Sequence, residues 1–143
     1  MSGIILDTNL LSELMRAQPD PVVTDWFSRQ TAVTFYTTAI TQAEILLGIA
    51  LLPAGKRRDL LADAAEKMFQ EDFSGNCLPF DESCTALYAT VVANRRRSGF
   101  SMTTEDAQIA AIALHHNLPL ATRNTKDFLH IDGLVLYNPW TPQ

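Results

Sequence analysis

The sequence predicts an α/β domain in which a mostly parallel sheet is covered by helices on both faces. Three observations carry that expectation. Short apolar runs alternate with longer helical stretches along the chain, the pattern of strands joined by crossover helices. Hydrophobic residues make up 47% of the chain and charged residues 19%, which supplies a compact core and argues against disorder. No repeat, low-complexity tract or linker divides the 143 residues, whose number suits one domain over 1–143 and is short for two.

Taken in order, Ile4-Ile5-Leu6 is a short buried strand and Thr8 to Met15 is helical. Asp20-Pro21 is a cap followed by proline at the first helical position, starting a helix through Trp26 and Phe27. Val33 to Tyr36 is the next strand. Thr41 opens an apolar helix over Gln42 to Leu52, stopped by Pro53 and Gly55, and a further helix runs from about Arg57 to Phe69. Leu78 to Phe80 is short and apolar, and Asp81 caps a helix that ends near Arg97 with Gly99 just beyond it. Thr103 or Thr104 starts the last helix, through Ile109, Ile112 and Leu114 to Asn117. Leu120-Ala121-Thr122 and Leu134 to Tyr137 complete the strands.

Several classes are excluded. The longest apolar run, Ile45 to Ala54, contains Pro53 and falls short of the roughly 20 residues of a membrane span. Met1-Ser2-Gly3 leads straight into the first strand without a basic segment, so no secretory leader is expected. Cys77 and Cys84 lack partners at zinc-ligand spacing and read as free thiols of a reducing cytoplasm. A net charge of −5 speaks against non-specific nucleic-acid binding, although basic residues gather at Lys56-Arg57-Arg58 and Arg95-Arg96-Arg97. Arginines 95–97 fall at a helix C-terminus, where positive charge complements the macrodipole.

Three acids occupy equivalent places. Asp7 directly follows the first strand, while Glu44 and Asp106 lie in the first turns of the helices opened by Thr41 and Thr103. In a parallel sheet all three reach the carboxyl edge, where ligands bind. Carboxylates a few ångströms apart repel by roughly 4 kcal/mol per pair at an effective dielectric near 20. A hard divalent cation such as Mg²⁺ or Mn²⁺ relieves that repulsion and can activate water toward a phosphodiester. Two of the acids have a second reading. Thr41-Gln42-Ala43-Glu44 fits a capping box, and Thr103-Thr104-Glu105-Asp106 nearly does. Asp7 has less need of one, because Thr8 is available to cap the helix that follows.

Ile4-Ile5-Leu6-Asp7-Thr8-Asn9 resembles the opening strand and acid of PIN domains. The segments Ala39 to Gly48, Asp106 to Ala113 and Leu120 to Phe128 resemble their second, third and fourth motifs, in the family's order. Asn138-Pro139-Trp140 is similar to the ending of the FitB-like branch of VapC toxins, the ribonucleases of type II toxin–antitoxin modules. The resemblance covers nearly the whole chain. It implies a PIN-like three-layer sandwich around a five-stranded parallel sheet, Mg²⁺- or Mn²⁺-dependent cleavage of RNA, a homodimer, and a cognate antitoxin that blocks the site. Asp7, Glu44 and Asp106 match the family's acids. At the fourth position Asn124 stands where many relatives carry Asp, and Asp127 follows three residues later. Asn124 can hold a metal-bound water, and Asp127 either supplies the missing charge or begins the next helical turn.

Other residues have paired readings. Thr8 and Asn9 either bind a metal-bound water or phosphate or serve the first helix, and Arg123 either reaches a phosphate or is a solvated loop residue. His115, His116 and His130 have no evident partners and read as surface or packing residues. The apolar helix from Glu44 to Leu52 has a second face to bury, against another copy or a partner. Two other functions are open. In an aspartate-based phosphotransfer domain Asp7 would become phosphorylated, but the second Asp of the phosphatase motif is Asn9 here and no receiver-type acidic pair adjoins the strand. A degenerate binding module fits Asn124 but not three intact acids.

Overall fold

A strand whose alternate residues are all apolar must be covered on both faces, and the first strand sets the layers. The structure, a computed structural model, describes residues 2–141. Strand β1 (Ser2–Leu6) sends Ile4 and Leu6 into one hydrophobic cluster and Ile5 into the other, as the two-residue side-chain period requires. The first cluster is closed by helices α1 (Thr8–Leu14), α2 (Pro21–Ser28), α3 (Ala39–Ala50) and α4 (Lys56–Lys67). The second is closed by α5 (Thr85–Arg97) and α6 (Thr104–His116). Ala107, Ala110, Ala111 and Ala113 of α6 are all buried, so small side chains let this helix lie close against the sheet.

The remaining strands are β2 (Val33–Thr38), β3 (Cys77–Leu78), β4 (Leu120–Ala121) and β5 (Leu136–Tyr137). Their order is β3-β2-β1-β4-β5 and every pairing is parallel. The expected five-stranded α/β sandwich is therefore present, with a sheet that is wholly rather than mostly parallel. The carboxyl ends of β1, β2 and β4 lie at one edge, and the segments leaving them carry Asp7, Glu44 and Thr122.

Two helix starts differ from expectation. Helix α3 begins at Ala39 rather than near Thr41, because β2 runs into it without a loop. The buried Thr38 hydroxyl accepts the Thr41 N–H at 3.0 Å and so takes the cap. Helix α1 is capped by Asp7, whose Oδ1 accepts the Thr8 N–H at 2.8 Å, and not by Thr8. Asp81 caps a single 3₁₀ turn, Glu82–Cys84, ahead of α5. At the other end of α5 the expectation holds. Gly99, at φ +83°, donates to the Arg96 carbonyl and Phe100 donates to that of Arg95, a Schellman closure.

The outer face of α3 stays bare, with Leu46, Leu47 and Leu51 at 44%, 59% and 75% exposure. No helix among the described residues is long and apolar enough to cross a membrane. Cys77 and Cys84 are both free thiols.

Candidate active site

Asp7 occupies the first position beyond β1 and is only 4% exposed. Its Oδ2 accepts the Thr122 hydroxyl at 2.7 Å and the Asn9 amide at 3.3 Å. The neighbour relation follows from register. Leu6 pairs with Ala121, so the next residue on each strand, Asp7 and Thr122, meet at the sheet edge. Thr122 also accepts the Asn124 N–H at 3.1 Å, and Asn9 Oδ1 accepts the Arg123 N–H at 3.2 Å. These bonds tie the segment after β4 to the segment after β1.

Glu44 lies in the second turn of α3, on the same face as Thr41. The Thr8 hydroxyl donates to Glu44 Oε1 at 2.7 Å and lies 3.0 Å from the Thr41 Oγ. Thr8 is therefore not the helix cap; its hydroxyl braces Glu44. The capping-box reading of Glu44 fails, because the helix starts too early for Glu44 to be its third residue. Asp106 is the third residue of α6, and its N–H donates to the Thr103 hydroxyl at 3.1 Å, so Thr103 is the cap.

Asp7, Glu44 and Asp106 are all raised, in part by neighbouring acids. Burial, and then the Asp7 charge, raise Asp106 to about 6, with Asp127 and Glu44 adding to the rise and the Thr103 hydrogen bond opposing it. Asp7 is raised chiefly by burial, against its hydrogen bonds to Thr122, Thr8 and Asn9, with a further push from Asp127. Glu44 is raised by burial, offset by its bond to Thr8, with Asp7 and Glu105 adding repulsion. No ion pair among the described residues compensates any of them, since the two present join Arg16 to Glu13 and Arg29 to Asp25. Asp127 sits in the 3₁₀ turn Thr125–Phe128, its N–H bonded to the Asn124 carbonyl at 3.0 Å. It is its charge that reaches Asp7 and Asp106. Asn124 is exposed and supplies backbone bonds to this corner.

Burial, mutual repulsion and all-oxygen donors suit a hard divalent cation. Among the described residues no three acidic, cysteine or histidine side chains stand close enough to hold an ion unaided. An ion here would have to complete its coordination with water. Phosphotransfer would need an accessible Asp7, and Asp7 is buried. If Asp127 only adds charge at the rim, Asp127→Asn disturbs the activity of this site less than Asp106→Asn in single-turnover assays; equal losses would make Asp127 a full member of the cluster.

Sequence reasoning missed Thr122 and the bracing role of Thr41. Thr122 was legible only as the end of a strand, since its partner is 115 positions away. Arg123 carries its guanidinium 5.1 Å from the Trp140 ring centre, which gives an exposed loop arginine a fixed seat.

The family model for the PIN domain matches residues 4–134. The chain is 44% identical over 137 residues to the plasmid stability protein StbB of Pseudomonas syringae pv. tomato, covering 96% of this chain and 98% of the relative. It is 41% identical over 139 residues to the VapC ribonuclease Y4jK of Sinorhizobium fredii, covering 97% and 99%. It is 39% identical to the toxin FitB of Neisseria gonorrhoeae over 137 residues, covering 96% and 98%. The solved structure of FitAB bound to a DNA fragment superposes with a TM-score of 0.89 at 38% identity, over 98% of this chain and 97% of that one.

Proposed function

From the premise that this chain belongs to the PIN domain family, we propose that it is the toxin of a type II toxin–antitoxin module, an endoribonuclease that hydrolyses RNA phosphodiesters with Mg²⁺ or Mn²⁺. The observation that carries the chemistry is the uncompensated carboxylate cluster, with Asp106 raised to about 6. One or two of Asp7, Glu44 and Asp106 would bind the ion directly and the rest through its waters, and Asp127 would add charge beside them. A bound divalent cation supplies Lewis acidity and charge compensation for the phosphodiester. Thr122 and Asn9 orient Asp7, and Thr8 orients Glu44. Arg123, seated on Trp140, would meet a backbone phosphate. The test is cleavage of a single-stranded RNA by the purified chain. Mg²⁺ should support it, while a chelator or Asp7→Asn should abolish it. Activity that survives both would overturn the metal-dependent reading.

The antitoxin reading has a surface to match. A groove of about 1040 Å³ runs between α1, α3 and α4, with Ile45, Ile49 and Leu61 among its lining and Arg16, Lys56 and Arg57 among its charged residues. An amphipathic segment with acidic flanks fits that pattern. Gly48 lines the groove, and a Cβ there meets nothing within 4 Å. Gly48→Ala should therefore stabilise the fold by about 0.5–1 kcal/mol through helix propensity, whereas Gly48→Trp should fill the groove and release the nuclease from inhibition by the antitoxin. Leu47 and Leu51, on the opposite face of α3, are the surface for self-association. Leu51→Asp should lower the mass seen by light scattering and leave antitoxin binding intact. Loss of both in one variant would merge the two surfaces.

A further inference from the structure

Arg95 is 4% exposed, yet no carboxylate pairs with it among the described residues. Its guanidinium donates instead to two carbonyls, Leu129 O at 2.6 Å and Ser101 O at 3.0 Å, and its Nε is buried without a partner. A buried cation held only by carbonyls is an expensive way to close a loop. What it achieves is to pin together two segments that both lead to the acidic cluster. Ser101 precedes the cap of α6 and so Asp106, and Leu129 follows the turn that carries Asp127.

Above this clamp sit two aromatic rings. Phe100 is 42% exposed, and the Arg95 guanidinium lies 5.2 Å from its ring centre. His130 is exposed and stacks on Phe100 with ring centres 4.8 Å apart and planes 25° from parallel. His130 also adopts φ +64°, a left-handed conformation uncommon outside glycine. Arg96 and Arg97, next to Arg95 at the end of α5, are exposed, and neither forms an ion pair among the described residues.

We propose that Phe100 and His130, flanked by Arg96 and Arg97, form a substrate subsite on which an unpaired base of the RNA stacks, with the arginines meeting the adjoining phosphates. The proposal rests on the ribonuclease reading and extends it to how the strand is positioned. Stacking on an aromatic face is tolerant of base identity, and flanking arginines follow the backbone, which is how single strands are gripped without a sequence code. Proximity is set by the chain itself. His130 follows Asp127 by three residues, at most about 11 Å of backbone, so a base held there places neighbouring phosphates at the cluster. The basic run thus has a use beyond complementing the helix dipole: Arg95 fixes the platform, and Arg96 and Arg97 face the strand.

The test uses His130→Asn, because asparagine tolerates the left-handed backbone while removing the ring. Binding of a fluorescent, unstructured RNA oligonucleotide in EDTA at low salt should weaken roughly tenfold or more. In cleavage assays with Mg²⁺ the loss should fall on KM rather than on the saturated rate, and Phe100→Tyr, which keeps a ring at a position without positive φ, should retain binding. Independently, Arg96→Ala/Arg97→Ala should reduce the slope of log Kd against log salt by up to about 1.4. Unchanged KM and RNA affinity in His130→Asn would overturn the subsite. So would a variant that binds RNA normally but loses self-association or antitoxin binding, since the patch would then be a protein contact. Absence of RNA cleavage by the wild-type chain with Mg²⁺ would instead remove the ribonuclease reading, an outcome separate from failure of the subsite.

Discussion

Glu44→Gln abolishes RNA cleavage, by more than about a hundredfold, while leaving the metal-free fold at least as stable as the wild type. A cap and a metal ligand respond oppositely to this change. A capping box accepts glutamine in place of glutamate, but Glu44 is not in a capping box: Thr38 holds that position through its bond to the Thr41 N–H. The amide oxygen of glutamine can still accept the Thr8 hydroxyl, which donates to Glu44 Oε1 at 2.7 Å. Packing and hydrogen bonding therefore survive, and only the charge is lost. That charge is repelled by Asp7 and Glu105 and held up by partial burial, so its removal relaxes the apoprotein. Stabilisation by added Mg²⁺ or Mn²⁺, which follows RT ln(1 + [L]/Kd), shrinks because a ligand has gone. Thermal melts with and without metal, run beside cleavage assays, read both effects. A variant that cleaves normally and keeps the full metal-induced shift would remove Glu44 from the site.

The fold was legible because its signals are periodic and local. Ile4, Ile5 and Leu6 form a run apolar on both faces, which fits only a strand covered twice. Gly99 marked the end of α5 because its backbone needs a positive φ. Helix starts were less legible, for a physical reason. Thr38 and Thr41 are equally able to cap, and the choice depends on β2 running directly into α3, which no window of sequence displays. The site was legible to the extent that its acids follow strands or open helices. Its supports were not. Thr122 reaches Asp7 only through the pairing of β1 with β4, and Arg95 reaches Leu129 across 34 positions of chain. The contribution of Asp127 is likewise set by the tightness of a 3₁₀ turn rather than by spacing alone.

Asp106→Asn should raise the stability of the metal-free protein near neutral pH and flatten its dependence on pH. The sign follows from linkage. Asp106 is raised from 3.8 to about 6 in the folded chain, so between those values the native state holds a proton that the unfolded chain has released. Native stability then falls as pH rises through that window, and above about 6 the whole penalty is in force. Asp7 and Glu44 are raised too and act in the same direction. Asp106 is only about half buried, so solvent screening reduces its share to about 1 kcal/mol. Asparagine cannot titrate, and the Asp106 N–H still reaches the Thr103 hydroxyl, so the cap remains. A cation competes with protons for the same oxygens. Added Mg²⁺ should therefore stabilise the wild type little below about pH 4 and most above about pH 6, and should stabilise Asp106→Asn less at the higher pH. Chemical denaturation across that range, in EDTA and in Mg²⁺, measures each term. A metal-free stability that rises with pH between those values would show that Asp106 has a cationic partner in the folded chain, and the cluster would no longer need a metal ion to balance it.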